Sequence, residues 1–256
     1  TTGQQELFEN KSETFSVTYD DTRSESRVED TIDSRLRALT LEKKVIGFYL
    51  SGHPIKEYQD EINSMSIKSI ASYFEKLYSS DIDDDFSEHG TISGVITSIR
   101  SQRMGKDKFI NILTVDDSTH RLEIILFSDV YEKYRNLIKE NEILFFSGVI
   151  AMDDYNGDLS MKATKVIDMD SARQQYSKEI ELFILPEHVN DNILAKIVSL
   201  LEPHKNGKCP LTIKCLSNQH IVPLELNSEW LINPSSALVN GLTDLLGKEN
   251  IIVKYE

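Results

Sequence analysis

The pattern of apolar and polar positions changes character several times along the chain. Over residues 9–39 Ser, Thr, Asp and Glu dominate and large aliphatics are sparse, the composition of a disordered tether. Leu39, Leu41, Val45, Ile46, Tyr49 and Leu50 then recur at helical spacing, with Gly52 and Pro54 as the stop. A second short helix is predicted over 55–63 and a third on Ile67, Ile70, Tyr73, Phe74 and Leu77, giving a small helical connecting segment at 39–80. The run SSDIDDDFSEHG follows as an acidic linker.

From residue 89 the period switches to two. TISGVITSIR alternates through Ile92, Val95 and Ile99, with Gly94 as a bulge or bend. KFINILTVDD and THRLEIILFS read as the next two strands, turned at Asp116-Asp117-Ser118. The helix SDVYEKYRNLIKE puts Val130, Tyr131, Tyr134 and Leu137 on one face. EILFFSGVIAMD and LSMKATKVIDM follow, joined at Asn156-Gly157. Three strands, a helix and two strands, with a glycine in the first, is the order of a five-stranded OB-fold β-barrel, assigned to 88–172. An unrelated small barrel carries the same pattern. DMDSARQQYSKE reads as a polar boundary, so the chain is expected to divide near Ala172. Beyond it, KEIELFILP, a helix stopped by Pro203, the hairpin CPLTIKCLS/QHIVPLELN, a second helix and NIIVKYE make a C-terminal α+β module at 178–256. The fold class is a multi-domain α+β chain.

At 256 residues the chain is long enough for two modest cores. Its net charge of −14 disfavours a protein whose whole surface grips nucleic acid. A local basic patch is still permitted, because screening confines surface electrostatics to about 8–10 Å. One such cluster exists: Arg100, Arg103, Lys106 and Lys108 flank the first-to-second strand loop, which borders the nucleic-acid face of OB-folds, with Phe109 beside them as a stacking surface. The alternative is a solvated hairpin loop. Cys209 and Cys215 lack metal-type spacing and, on one strand, share a face too far apart to bond. The six histidines are scattered, and His53 at a helix end is expected to satisfy a backbone carbonyl. No phosphate loop, nucleophile elbow or HExxH pair is present, so no catalytic residue, metal or cofactor is expected. Asp81, Asp83, Asp84 and Asp85 read as a solvated spacer; the competing reading is a metal-dependent nuclease. Trp230 is either a core aromatic or a partner anchor. No run reaches membrane-span length and no signal peptide is visible, so no membrane partner and a cytoplasmic location are expected. A first residue other than Met is expected of a fragment or processed product.

GQQELF, a polar linker, IGFYLSGHPIKEY and a barrel containing LTVDDSTHRLEIILFSDVYEKY resemble, across essentially the whole chain, the C-terminal region of the bacterial replicative DNA polymerase III alpha subunit. SLLEPHKNGKCPLTIKC resembles its terminal module. The resemblance implies that Gln4, Leu7 and Phe8 form the internal sliding-clamp-binding motif, followed by linker to residue 38. It also implies that the barrel binds single-stranded template DNA, and that the terminal module docks the clamp-loader tau subunit. The family's polymerase carboxylates lie upstream of these residues, so no catalytic centre is implied here. The Leu-Phe pair, too apolar for its tether, suits that reading: a mobile strand offers one amide and two anchors to a groove. The alternative is an OB module of an RNA- or tRNA-binding protein, favoured by VDDSTHRLEIILF and disfavoured by GQQELF and SGHP.

Overall fold

The computed structural model describes residues 32–79, 86–104, 108–153, 157–186, 192–216 and 220–255. Gln4, Leu7, Phe8, Lys106 and the acidic run at Asp81 and Asp83–Asp85 lie outside these residues.

Helix α1 (Ile32–Ile46) begins inside the segment read as linker, because Ile32, Leu36 and Leu39 already share a face between polar neighbours. It ends before the expected Gly52: Gly47, at φ +94°, takes the left-handed position and donates its N–H to Lys43 O at 2.7 Å. Of the predicted apolar face only Leu39 is buried; Leu41, Val45, Ile46 and Leu50 are exposed. The second predicted helix divides into a 3₁₀ turn, Pro54–Tyr58, and α2 (Gln59–Ser64). Helix α3 (Ile70–Ser79) buries Ile70 and Tyr73. Asp117 stitches α3 to the barrel: its carboxylate accepts the Ile70 N–H at 2.7 Å while its other oxygen accepts the Thr119 and His120 N–H groups.

Strands β1 (Ser87–Met104), β2 (Lys108–Asp116), β3 (Arg121–Phe127), β4 (Ile143–Met152) and β5 (Leu159–Ile167) close into a barrel in the order β1-β2-β3-β5-β4, with β3 and β5 parallel. Helix α4 (Ser128–Tyr134) connects β3 to β4. Closure removes the exposed sheet edges. β1 begins at Ser87, earlier than the alternation suggested, and is shared: its first half pairs with β4 and its second with β2, the hand-over falling at Val95. Gly94 sits just before the hand-over rather than on a bulge. The register shift comes between Ile96 and Ser98. At Gly94 a Cβ would stand 2.4 Å from Val115 Cγ1 and 2.9 Å from Asp116 O, so the two strands approach too closely for any side chain.

Alternation sends Leu122, Ile124 and Leu126 of β3 into the barrel with Ile92, Ile96, Leu113, Val115, Met161 and Val166. β4 breaks the alternation, since Leu144, Phe145 and Phe146 are all buried. Leu144 and Phe146 fill the barrel, whereas Phe145 points outward into a separate core with Ile55, Ile62, Met65, Val95, Met169 and Ala172. A strand covered on both faces reads as a continuous apolar run.

Helix α5 (Met169–Tyr176) occupies the segment expected to be a polar boundary. Asp168 caps it, accepting the Ser171 N–H at 2.8 Å. Ala172 is fully buried, so the segment read as a polar boundary is a packed helix. The OB assignment at 88–172 ends inside a helix that packs on the barrel, and the third core joins the helical segment, the barrel and α5.

The C-terminal module begins at β6 (Ser177–Ile184) and continues through α6 (Ile193–Leu201), β7 (Lys205–Cys209), β8 (Leu211–Leu216), β9 (Ile221–Glu225), α7 (Ser236–Leu246) and β10 (Ile251–Tyr255). Its sheet runs β10-β6-β8-β9, with β6 and β8 parallel and β8–β9 the expected hairpin. Ile180, Leu182, Ile184, Leu211 and Ile213 pack against Ile193, Ile197 and Leu201 of α6 and Leu238, Leu242 and Leu246 of α7. Cys209 and Cys215 are free.

Candidate nucleic-acid interface

The outward positions of four barrel strands form one continuous row. Register places Arg100 beside Ile112, Ile112 beside Ile125, and Ile125 beside Lys162. The adjacent row holds Gln102, Ile110 and Phe127. Phe127 is 44% exposed, an aromatic face offered to solvent beside Ile110. Sequence reading missed Phe127 and Lys162. The signal was in the β3 alternation: with Leu122, Ile124 and Leu126 inward, Phe127 must share the outer face with Arg121 and Glu123.

Of the residues expected to contact nucleic acid, Arg100, Arg103 and Phe109 are brought to the β1–β2 hairpin, with Arg103 directly opposite Phe109. Phe109 is 51% exposed, and its carbonyl accepts the Ser128 hydroxyl at 2.6 Å. Lys108 opens β2 opposite Met104. Arg100 Nη2 lies 2.6 and 2.8 Å from the two oxygens of Glu123. Both side chains are well exposed, so the pair contributes about 0–1 kcal/mol, and a phosphate oxygen is an equivalent acceptor. Asp153 and Asp158 bracket the β4–β5 turn, where Gly157 at φ +70° donates to Asp153 O. Those carboxylates oppose a polyanion, which leaves the β1–β2 side as the favourable approach.

At the other end of β2, Asp116 is held by Arg121 Nε at 2.9 Å and the Ser118 N–H at 2.8 Å, with His53 Nε2 at 3.4 Å. Burial alone would raise the Asp116 carboxyl; His53, Arg121 and Ser118 outweigh it and hold the group far below the usual carboxylate range. His53 does not satisfy a carbonyl as expected. It precedes the Pro54–Tyr58 turn, where the groups lacking partners are N–H groups, and its Nδ1 accepts from the Ile55 N–H. Asn141, at φ +70°, ties this region to the barrel by accepting from Lys43 Nζ at 2.7 Å and Tyr49 OH at 3.0 Å. Trp230 packs half-buried on the edge of the C-terminal core, with Lys205 Nζ 3.6 Å from its ring centroid. Among the described residues no cluster of His, Cys, Asp or Glu could hold a metal ion, and no helix is long and apolar enough to cross a membrane.

A closed five-stranded barrel of this order defines an OB-fold chain, here carrying a separate α+β module. Residues 91–169 match the family model for the OB-fold nucleic acid binding domain, and residues 196–247 match that for the DNA polymerase III subunit alpha, C-terminal domain. DNA polymerase III subunit alpha of Escherichia coli K12 is 30% identical over 218 residues, covering 84% of this chain and 18% of that protein. The same subunit of Vibrio cholerae is 27% identical over 214 residues, with the same coverage. Among solved structures, asparaginyl-tRNA synthetase from Pyrococcus horikoshii aligns at a TM-score of 0.31 and 15% identity, over 41% of this chain and 23% of that one. The chain corresponds to the C-terminal region of the DNA polymerase III alpha-subunit family. It spans only 18% of the length of these curated relatives.

Proposed function

We propose that this chain is a non-catalytic region of a replicative DNA polymerase that binds single-stranded template on its barrel and carries attachment points for the sliding clamp and the clamp-loader tau subunit. The observation that carries the reading is the outer row whose ends are Arg100 and Lys162, with the exposed ring of Phe127 on the same face; Arg103 and Phe109 project from the opposite face of the β1–β2 hairpin. Cations beside exposed aromatic faces suit a single strand, whose phosphates and unstacked bases are both available. The family match at 196–247 lies outside the barrel, which favours this reading over a tRNA-binding module.

Fluorescence anisotropy with labelled oligo-dT, against duplex DNA and RNA of equal length, tests it. Phe127→Ala is expected to weaken binding by about 1–3 kcal/mol, the worth of one stacked base. Replacing Arg100, Arg103, Lys106 and Lys108 with Ala is expected to flatten the log–log salt slope by about 0.7 for each phosphate that is no longer neutralised. An unchanged slope moves the strand off this face, and tighter binding of RNA favours the tRNA-type alternative.

Clamp attachment is assigned to Gln4, Leu7 and Phe8. Burying the two apolar side chains in a groove is worth about 1.5–3 kcal/mol each before ordering costs. Leu7→Ala with Phe8→Ala is therefore expected to abolish clamp capture by surface plasmon resonance while leaving the thermal unfolding of the chain unchanged. Undiminished capture by the double variant removes the motif from the reading. Tau docking is assigned to the module at 178–256, with Trp230 as a candidate anchor; pulldown of the full chain against tau tests it.

A further inference from the structure

The junction between barrel and C-terminal module is built around one buried arginine. Arg173, on α5, is 5% exposed at its side chain, and no nucleic-acid or clamp role requires it. Its Nε and Nη2 donate to the two oxygens of Glu61 on α2, at 2.6 and 2.8 Å, a bidentate pair. Nη1 donates to Ser236 Oγ at 2.5 Å, at the start of α7, and lies 3.3 Å from Asp170 Oδ1. Asp170 in turn accepts from the Ser236 N–H and hydroxyl at 2.8 and 2.6 Å. The Tyr255 hydroxyl, on β10, donates to the same Glu61 oxygen that receives Arg173 Nε. Four elements far apart in sequence thus meet on one guanidinium–carboxylate pair.

We propose that Arg173 is a latch that fixes the C-terminal module in one orientation to the barrel, so that a partner held on the module stands at a set angle to whatever the barrel face binds. The bidentate fork holds Arg173 and Glu61 rigid on the barrel side, and the module is tied to both ends of that pair, at Ser236 through Arg173 Nη1 and Asp170 and at Tyr255 through Glu61, so it meets two fixed points rather than an apolar seam that can slide. Burial opposes the charge on Arg173, and Glu61 outweighs it, so the cation is held firmly. Burial and the adjacent Glu61 carboxylate both push the Tyr255 phenol up, so it remains a donor. The apolar contacts of the third core supply adhesion without specifying the angle.

The test is the distance distribution between spin labels on the full chain, at Lys133→Cys on α4 and Lys196→Cys on α6, with Cys215→Ser and the buried Cys209 retained. The parent is expected to give one narrow peak. Arg173→Gln is expected to broaden it at least twofold with far-ultraviolet circular dichroism preserved. Tyr255→Phe, which removes a single bond to Glu61, is expected to broaden it less. Lys254→Gln, next to Tyr255 on β10 but with its side chain paired to Glu179 and Glu181 of β6 within the module, is expected to leave the width unchanged. An unbroadened peak in Arg173→Gln overturns the proposal. If that variant does not fold, Tyr255→Phe decides: parental width overturns the latch, and broadening supports it.

Discussion

A chain ending after Ala172 is expected to lose its barrel's stability rather than to leave an intact OB domain. The cut removes Arg173, Tyr176 and Tyr255, uncovers Ile55, Ile62, Met169 and Phe145, and leaves Glu61 without its cation. Only four residues of α5 remain, too few for a helix, so Met169 and Ala172 lose their places, and each large apolar side chain uncovered costs about 1.5–3 kcal/mol. For a domain of this size that amounts to a fall in Tm of at least about 10 °C, with aggregation through the bared apolar seam. Calorimetry and light scattering on the truncated chain check it. A monomeric fragment melting within a degree or two of the full chain would show that the seam contributes nothing.

Phe145→Ala is expected to cost about 3–5 kcal/mol, as for a fully buried aromatic truncated in a core that cannot collapse. The loss should fall on the seam, because Phe145 points away from the barrel interior that Leu144 and Phe146 fill. In urea unfolding the midpoint should drop accordingly, whereas Phe127→Ala on the open face should stay within about 0.5 kcal/mol of the parent. A Phe145→Ala penalty below about 1 kcal/mol would mean that the third core is not close-packed.

The barrel was legible because much of each strand is half-buried, so burial wrote itself into the sequence as alternation, although residues 92–96 of β1 and 144–146 of β4 are covered on both faces, and Asp116–Ser118 and Gly157 mark the turns. Phe127 was legible by the same rule and was overlooked in favour of the more conspicuous cations. Helix α5 was not legible. Met169 and Ala172 are its only buried apolar residues, and its third buried side chain is Arg173, which local pattern assigns to solvent. What buries Arg173 is Glu61, a residue 112 positions away that no window along the chain contains. Helix α1 shows the converse error: Leu41, Val45 and Leu50 have helical spacing yet lie exposed, because periodicity reports a face and not whether anything covers it. The polar composition around Ala172 likewise reports the solvent face of α5 and not the buried one.

The donation from Tyr255 to Glu61 also bears on the order in which the chain is made. Every strand of the barrel has emerged once Ile167 is synthesised, but Tyr255 arrives about 90 residues later, an interval of about 5–20 s at ordinary elongation rates. During that interval the barrel can close and the outward face of β4 can pack with α2 and α5, while Glu61 still waits for the Tyr255 hydroxyl. The nascent chain therefore passes through a stage with a finished barrel whose Glu61–Arg173 pair still lacks Ser236 and Tyr255, so the last residues made are the ones that complete the junction.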